Sequence, residues 1–216
     1  MIIRSLTILL LLLPGAASFA SSETVTLKKV ELDRSQQTLQ QGADAVFQVC
    51  MLCHELKFIK YSNLLQIGFS QQQIDELRGD HKMTDSLKAT MQPSALQHHF
   101  GMIPPDLSLM AKARKGGPDY VYSLMTSYYA KDDGHVDNHV FPGLRMPDVM
   151  NYTVYTEGEE RVAVEQQAQQ VARFLEWAAG PHAAERRSMG YYVIAYLILL
   201  SAMLYLVKRR VWSNLH

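Results

Sequence analysis

Cys50-Met51-Leu52-Cys53-His54 places two thiols three residues apart and an imidazole directly after the second. Two thioethers to a porphyrin edge, with the histidine swung under the iron, need that order and spacing, and C-x-x-C-H is the attachment motif of c-type haem. The chain holds 2 Cys in all, so both are committed to this one stretch. Zinc is a weaker reading. His135-x-x-x-His139 could supply a second pair of ligands, but it lies much further along the chain than a small zinc module allows, and zinc gives no reason for His54 to follow Cys53. A thioredoxin-like redox pair would need a βαβ setting that the flanking sequence does not supply.

A haem iron with one histidine ligand and an open sixth position binds gases or peroxide, whereas a methionine thioether closes it and makes an electron carrier. The chain has 11 Met. Met110 and Met125 fall on expected helices, where methionine most often fills core space. Met146 sits in the loop Phe141-Pro142-Gly143-Leu144-Arg145-Met146-Pro147, stiffened by two prolines, where a thioether can be held across a haem face. Met102 and Met150 are the alternatives.

The elements that must position these groups read as helices joined by Gly and Pro loops. Ala43 to Val49 leads into the haem motif, with Ala45, Val46 and Val49 on one face. Gly68-Phe69-Ser70 is a break, with Ser70 as N-cap of a short helix over Gln71 to Leu77. Arg78 to Phe100 lacks periodicity and is expected to be irregular. Pro104-Pro105-Asp106 is expected to open a helix over Leu107 to Arg114, and Gly116-Gly117 to end it. Pro118 and Asp119 open the next, Tyr120 to Tyr129, followed by a polar loop from Lys131 to His139. Glu159 to Ala179 carries the best amphipathic pattern, with Val164, Val171, Phe174, Leu175 and Ala178 at helical spacing and Gly180-Pro181 as its stop. Strand signals are sparse, so the expected fold class is all-α.

Residues 1–20 read as a secretory signal: Arg4 is the basic flank, Leu9 to Leu13 the apolar segment, and Ser18-Phe19-Ala20 a small-x-small cleavage site. Met189 to Val207 runs 19 residues without a charge, about 28 Å as a helix, which is long enough to cross a bilayer core. Tyr191, Tyr192 and Trp212 flank it as interfacial aromatics do, and Lys208-Arg209-Arg210 follows at once. The organisation is therefore a signal at 1–20, an exported haem domain at 21–187, a transmembrane helix at 188–207 and a cytoplasmic tail at 208–216. With Arg4, Lys208, Arg209 and Arg210 set aside, the exported part has 17 Lys and Arg against 21 Asp and Glu, about −4 net. Nothing in that balance suggests nucleic acid. A mildly acidic surface suits a basic partner, and Asp132, Asp133 and Asp137 form one candidate run for steering it.

Taken in order, several segments resemble the cytochrome c1 family, the haem subunits of quinol:cytochrome c oxidoreductase (the bc1 complex). They are Cys50-x-x-Cys53-His54 with Tyr61 seven residues on, and Pro104-Pro105-Asp106-Leu107-Ser108. Next come Ala113-Arg114-Lys115-Gly116-Gly117-x-Asp119-Tyr120-Val121 and Phe141-Pro142-Gly143 before Met146-Pro147. Last is Phe174-Leu175-x-Trp177-Ala178 ahead of the anchor. The resemblance implies a class I cytochrome c-like domain with one covalent haem c on Cys50 and Cys53, axial ligands His54 and Met146, a propionate contact from Arg114, and Tyr120 and Pro105 beside the haem. It also implies cytochrome b and a Rieske iron-sulfur protein as partners, a cytochrome c as acceptor, and a bacterial inner membrane with the haem domain in the periplasm. This would make the chain an electron-transfer subunit rather than a complete catalyst. Glu55 and Ser62 stand where many members have Ser and Arg, and His98-His99-Phe100-Gly101-Met102 departs from the usual approach to the double proline. Two other classes remain open: a different membrane-anchored c-type carrier, and a haem enzyme or sensor with a labile sixth ligand.

Overall fold

Two helices from opposite ends of the expected haem domain form its central crossing. α1 (Gln36–Gln48) starts at Ser35, whose hydroxyl accepts the Thr38 amide at 3.3 Å, and α6 (Gly158–Ala178) carries Glu159 and Glu160 in its first turn, where carboxylates oppose the helix dipole favourably. All five apolar residues expected on the inner face of α6 are buried, with Phe174 fully enclosed. The crossing is close because Gly42 has no side chain. A Cβ there would lie 2.1 Å from the Gln170 carbonyl oxygen and 2.9 Å from Cβ of Phe174. The computed structural model describes residues 25–213, so the signal segment assigned to 1–20 lies outside the described residues.

Between the two helices the chain makes short elements. A 3-10 turn (Cys50–Leu52) follows α1, then β1 (Leu56–Lys60), a 3-10 segment (Tyr61–Ile67), α2 (Gln71–Arg78), β2 (Ser86–Leu87), α3 (Pro93–Phe100), α4 (Met110–Ala113), α5 (Pro118–Met125), β3 (Tyr128–Ala130) and β4 (Val136–Asn138). β1 pairs antiparallel with β2, and β3 with β4 in the register Tyr128↔Asn138. α2 begins as expected, with Ser70 and Gln73 in a reciprocal capping box. The domain is mainly helical, the two small sheets notwithstanding.

Four expectations are corrected. The 78–100 stretch is not wholly irregular, since β2 and α3 lie in it. α3 buries only Leu96, so an eight-residue helix leaves no apolar periodicity to read. The helix expected over Leu107 to Arg114 is confined to α4, because the Asp106 carboxylate is engaged by the amides of Lys57 and Ser108 rather than capping a helix. The helix expected to reach Tyr129 ends at Met125: the Thr126 hydroxyl bonds back to the Tyr122 carbonyl at 2.9 Å and the chain turns into β3. The polar loop from Lys131 to His139 contains β4.

α7 (Ala183–Ser213) contains the 189–207 apolar run and extends past both of its ends. Tyr196, Leu197, Leu199, Leu204 and Leu206 all stand exposed. A long helix that is apolar on every face and packs on no protein core has the bilayer as its remaining apolar surrounding. The protein is membrane-anchored.

Candidate haem site

α1 delivers the two thiols. Its last turn closes through the Val49 amide on Ala45, and the 3-10 turn then brings the amides of both Cys53 and His54 onto the Cys50 carbonyl at 3.2 and 2.9 Å. This local winding brings Cys50, Cys53 and His54 together on the lining of an apolar cavity of about 380 Å³. Burial pushes the Cys50 thiol up to about 12 and raises Cys53 as well.

The double-proline segment orients His54. The Asp106 carboxylate accepts from the Lys57 and Ser108 amides at 2.8 Å each, the Ser108 hydroxyl accepts from the Phe58 amide at 3.1 Å, and the Leu107 amide donates to the Glu55 carbonyl at 2.9 Å. Pinned along β1 in this way, the segment sets the Pro105 carbonyl 2.8 Å from His54 Nδ1. A carbonyl can only accept, so Nδ1 carries the proton and Nε2 is left as the ring's free lone pair. Burial lowers the His54 pKa, opposed by the Pro105 bond and the Asp106 charge, which keeps the imidazole neutral and available as a ligand.

All seven residues singled out from the sequence, Cys50, Cys53, His54, Pro105, Arg114, Tyr120 and Met146, line this one cavity. Arg114 follows α4 in extended conformation, with its guanidinium 5.8 Å from the Tyr120 ring centre. Gly116 and Gly117 then turn the chain with φ of 99° and 58°, a backbone region that side chains rarely adopt, so this turn needs glycine. Asp119 in the first turn of α5 accepts from the Lys29 side chain and the Val30 amide at 2.7 and 3.0 Å, tying the N-terminal stretch down beside the site.

The methionine alternatives separate. Met146 is half-buried on the cavity wall, Met102 is on the wall but 44% exposed, and Met150 packs between the two hydrophobic clusters away from the cavity. Met110 and Met125 also touch the cavity while belonging to the core. Residues not singled out from the sequence complete the wall. Val49, Leu124, Val171 and Leu175 contribute apolar surface, and Arg145 adds a second guanidinium. Arg145 lies in the Met146 loop, and its charge next to Met146 was the available signal.

The departures from the family pattern find their places. Glu55 pairs with Lys57 at 2.7 Å, and the Ser62 amide donates to the Met83 carbonyl. From the 98–102 stretch, Phe100 and Met102 reach the cavity. The acidic run is corrected at Asp137. Its carboxylate is buried, 2.5 Å from Lys131 Nζ and bonded to two backbone amides, so it is not a free surface charge.

The residues fit a covalent haem. The lining holds two thiols, a neutral oriented imidazole, a thioether, many apolar side chains and two guanidiniums for carboxylates. Fold and site together define a c-type haem domain on a membrane anchor. The family model described as "Cytochrome C1 family" matches residues 29–215. The chain is 30% identical to cytochrome c1 of Rhodospirillum rubrum, covering 93% of this chain and 92% of the relative, and 28% identical to cytochrome c1 of Allochromatium vinosum, covering 95% and 96%. It is also 27% identical to the ammonia monooxygenase gamma subunit of Nitrosomonas europaea, over 99% of both chains. The chain belongs to the cytochrome c1 family, and its cofactor is one covalently bound haem c.

Proposed function

We propose that this chain is the haem subunit of a bc1 complex, taking one electron at a time from a Rieske iron-sulfur protein and passing it to a cytochrome c. Haem c, when bound, supplies a one-electron iron couple; the rest is done by the chain. The Pro105 carbonyl holds His54 in one tautomer with a free Nε2 lone pair, and His54 and Met146 would be the iron's ligands, the Met146 thioether favouring the ferrous state. Arg114 and Arg145 would bind the haem carboxylates, and the apolar lining would keep water from the iron. The observation that carries this reading is that His54, Met146 and both thiols line one apolar cavity.

The domain boundaries at 20, 187 and 207 belong to the same reading. The signal segment exports residues 21–187 to the periplasm, α7 stops transfer in the inner membrane, and residues 208–216 stay in the cytoplasm. Quinol chemistry is left to a cytochrome b partner.

The test is purification in mild detergent. A low-spin His/Met spectrum together with co-purifying cytochrome b and iron-sulfur subunits supports the assignment. Met146→Leu should then lower the potential and let carbon monoxide bind the reduced iron. A wild-type protein that binds carbon monoxide readily, or that travels with a different membrane enzyme, overturns it.

A further inference from the structure

The Met146 loop has no regular structure, yet polar side chains fix its backbone at both ends. Asn138, the last residue of β4, is fully buried, and each end of its amide is used. Nδ2 donates to the Leu124 carbonyl in the last turn of α5 at 2.7 Å, while Oδ1 accepts from the Val140 and Phe141 amides at 2.9 and 3.1 Å. Asp137 Oδ1 accepts from the amides of Asn138 and Gly143, each at 2.8 Å, and Oδ2 faces Lys131 Nζ. At the far end, the buried Tyr128 hydroxyl donates to the carbonyl of Met146 itself at 3.0 Å. Tyr128 and Asn138 are directly paired across the β3–β4 ladder, so a single register pair grips the start of the loop and the ligand residue.

We infer that Tyr128, Asn138 and Asp137 are positioning residues that hold the Met146 thioether in the sixth position, on the reading of Met146 as a haem ligand. A thioether is a neutral, weak ligand, so contacts that fix its loop would favour the ligated arrangement over one that leaves the iron accessible. Side-chain hydrogen bonds made only in the closed arrangement bias that equilibrium. Buried amide and phenol groups suit the task because leaving either unpaired is costly, so the open state loses their bonds without recovering water.

The experiment measures carbon monoxide binding to the reduced, haem-loaded full chain in detergent, with the iron–thioether absorption band and the potential read alongside. Tyr128→Phe keeps the ring and deletes one bond, and should raise carbon monoxide uptake roughly fivefold, the factor that one lost neutral hydrogen bond supplies. Asn138→Ala should raise it more than tenfold, since three bonds go. Asp137→Asn retains the acceptor for Gly143 and should stay near wild type, whereas Asp137→Ala should not. Ser35→Ala removes the α1 cap far from the loop and serves as a control that destabilises the fold without touching it.

If Met146→Leu opens the iron while Tyr128→Phe and Asn138→Ala behave as wild type, the inference fails and the ligand reading stands. Opening by Ser35→Ala to the same degree would mean general loosening and also overturns it. An iron that stays closed in Met146→Leu removes the ligand reading and this inference with it. Should Asn138→Ala fail to load haem, Tyr128→Phe decides.

Discussion

Replacing Gly42 by alanine tests whether the α1–α6 crossing holds the haem cavity together. Ordinary contact begins at 3.4 Å, and the new Cβ would stand 2.1 Å from the Gln170 carbonyl oxygen, so about 1.3 Å must be found. The obstructing atoms are backbone and the first side-chain carbon of Phe174, neither of which can rotate away. The helices must therefore part. Overpacking of this kind costs about 1–3 kcal/mol, and separating the facing side chains by a fraction of an ångström forfeits a quarter to a half of their dispersion energy. Against this, alanine gains up to about 1 kcal/mol of helix propensity over glycine.

The balance is a net loss of about 1–2 kcal/mol, which for a chain of this size lowers the melting temperature by roughly 2–8 °C. Gly42→Val, with a branched side chain in the same space, should fall further. Thermal melts of the haem-loaded protein, followed by helical circular dichroism in detergent, give the measurement. Val49 and Cys50 follow α1, and Val171 and Leu175 lie on α6, so parted helices also open two walls of the cavity. A lowered reduction potential should accompany the lowered melt. A Gly42→Ala protein that melts at or above wild type would mean that propensity wins and that the close approach carries no stability.

Further outcomes follow from the same structure. Cys50→Ala with Cys53→Ala should leave no haem staining on a denaturing gel, since no other thiol can hold the cofactor. Truncation after Arg187 should release a soluble periplasmic haem protein, checked by fractionation with and without the partner subunits. Asp137 is held down to about 2 by the Lys131 side chain and then by the Gly143 and Asn138 amides. A depressed carboxylate stabilises the fold above its unfolded value of 3.8, and that contribution disappears as pH falls toward 2. Asp137→Asn should therefore lower stability at pH 7, where that contribution is fully present, and flatten the acid limb of a stability profile between those values. Electron transfer to a basic acceptor should slow with salt, because surface fields are screened over about 8 Å at physiological ionic strength. Asp132→Asn with Asp133→Asn should reduce that slope, and an unchanged slope would move docking to another patch.

The elements legible in the sequence are those with enough turns to repeat a pattern. α6 has five apolar residues at helical spacing, all of them buried, and its expected limits differ from the observed ones by a single residue at each end. α2 was legible through its Ser70 cap and α7 through its charge-free run. What could not be read are elements too short for a period: β2 has two residues, and β3 and β4 three each. Thr126 is a further case. Its back-bond to Tyr122 ends α5, and a threonine within a helical pattern gives no sign of whether it will bond backward or face solvent.

Chemistry was more legible than support. The residue types that a haem needs are few, and the candidates Cys50, Cys53, His54 and Met146 stand out by spacing or by prolines nearby. The groups that hold them act through backbone atoms, and these carry no residue signature. Pro105 reads as a rigid turn residue, but what it offers His54 is its carbonyl, placed by Asp106 and Ser108 acting on β1. Asp137 reads as an acid in a polar loop, and its charge suggested steering. With Lys131 at 2.5 Å its field at long range is largely cancelled, and its oxygens serve the amides of Asn138 and Gly143 instead. Even Asp133 spends one oxygen on the His135 amide at 3.0 Å. A run of three acids thus divides between turn, loop and solvent according to which amides come within reach, and that depends on the β3–β4 register. The same register sets Tyr128 opposite Asn138, so the residues that fix the Met146 backbone become a group only once the two short strands have paired.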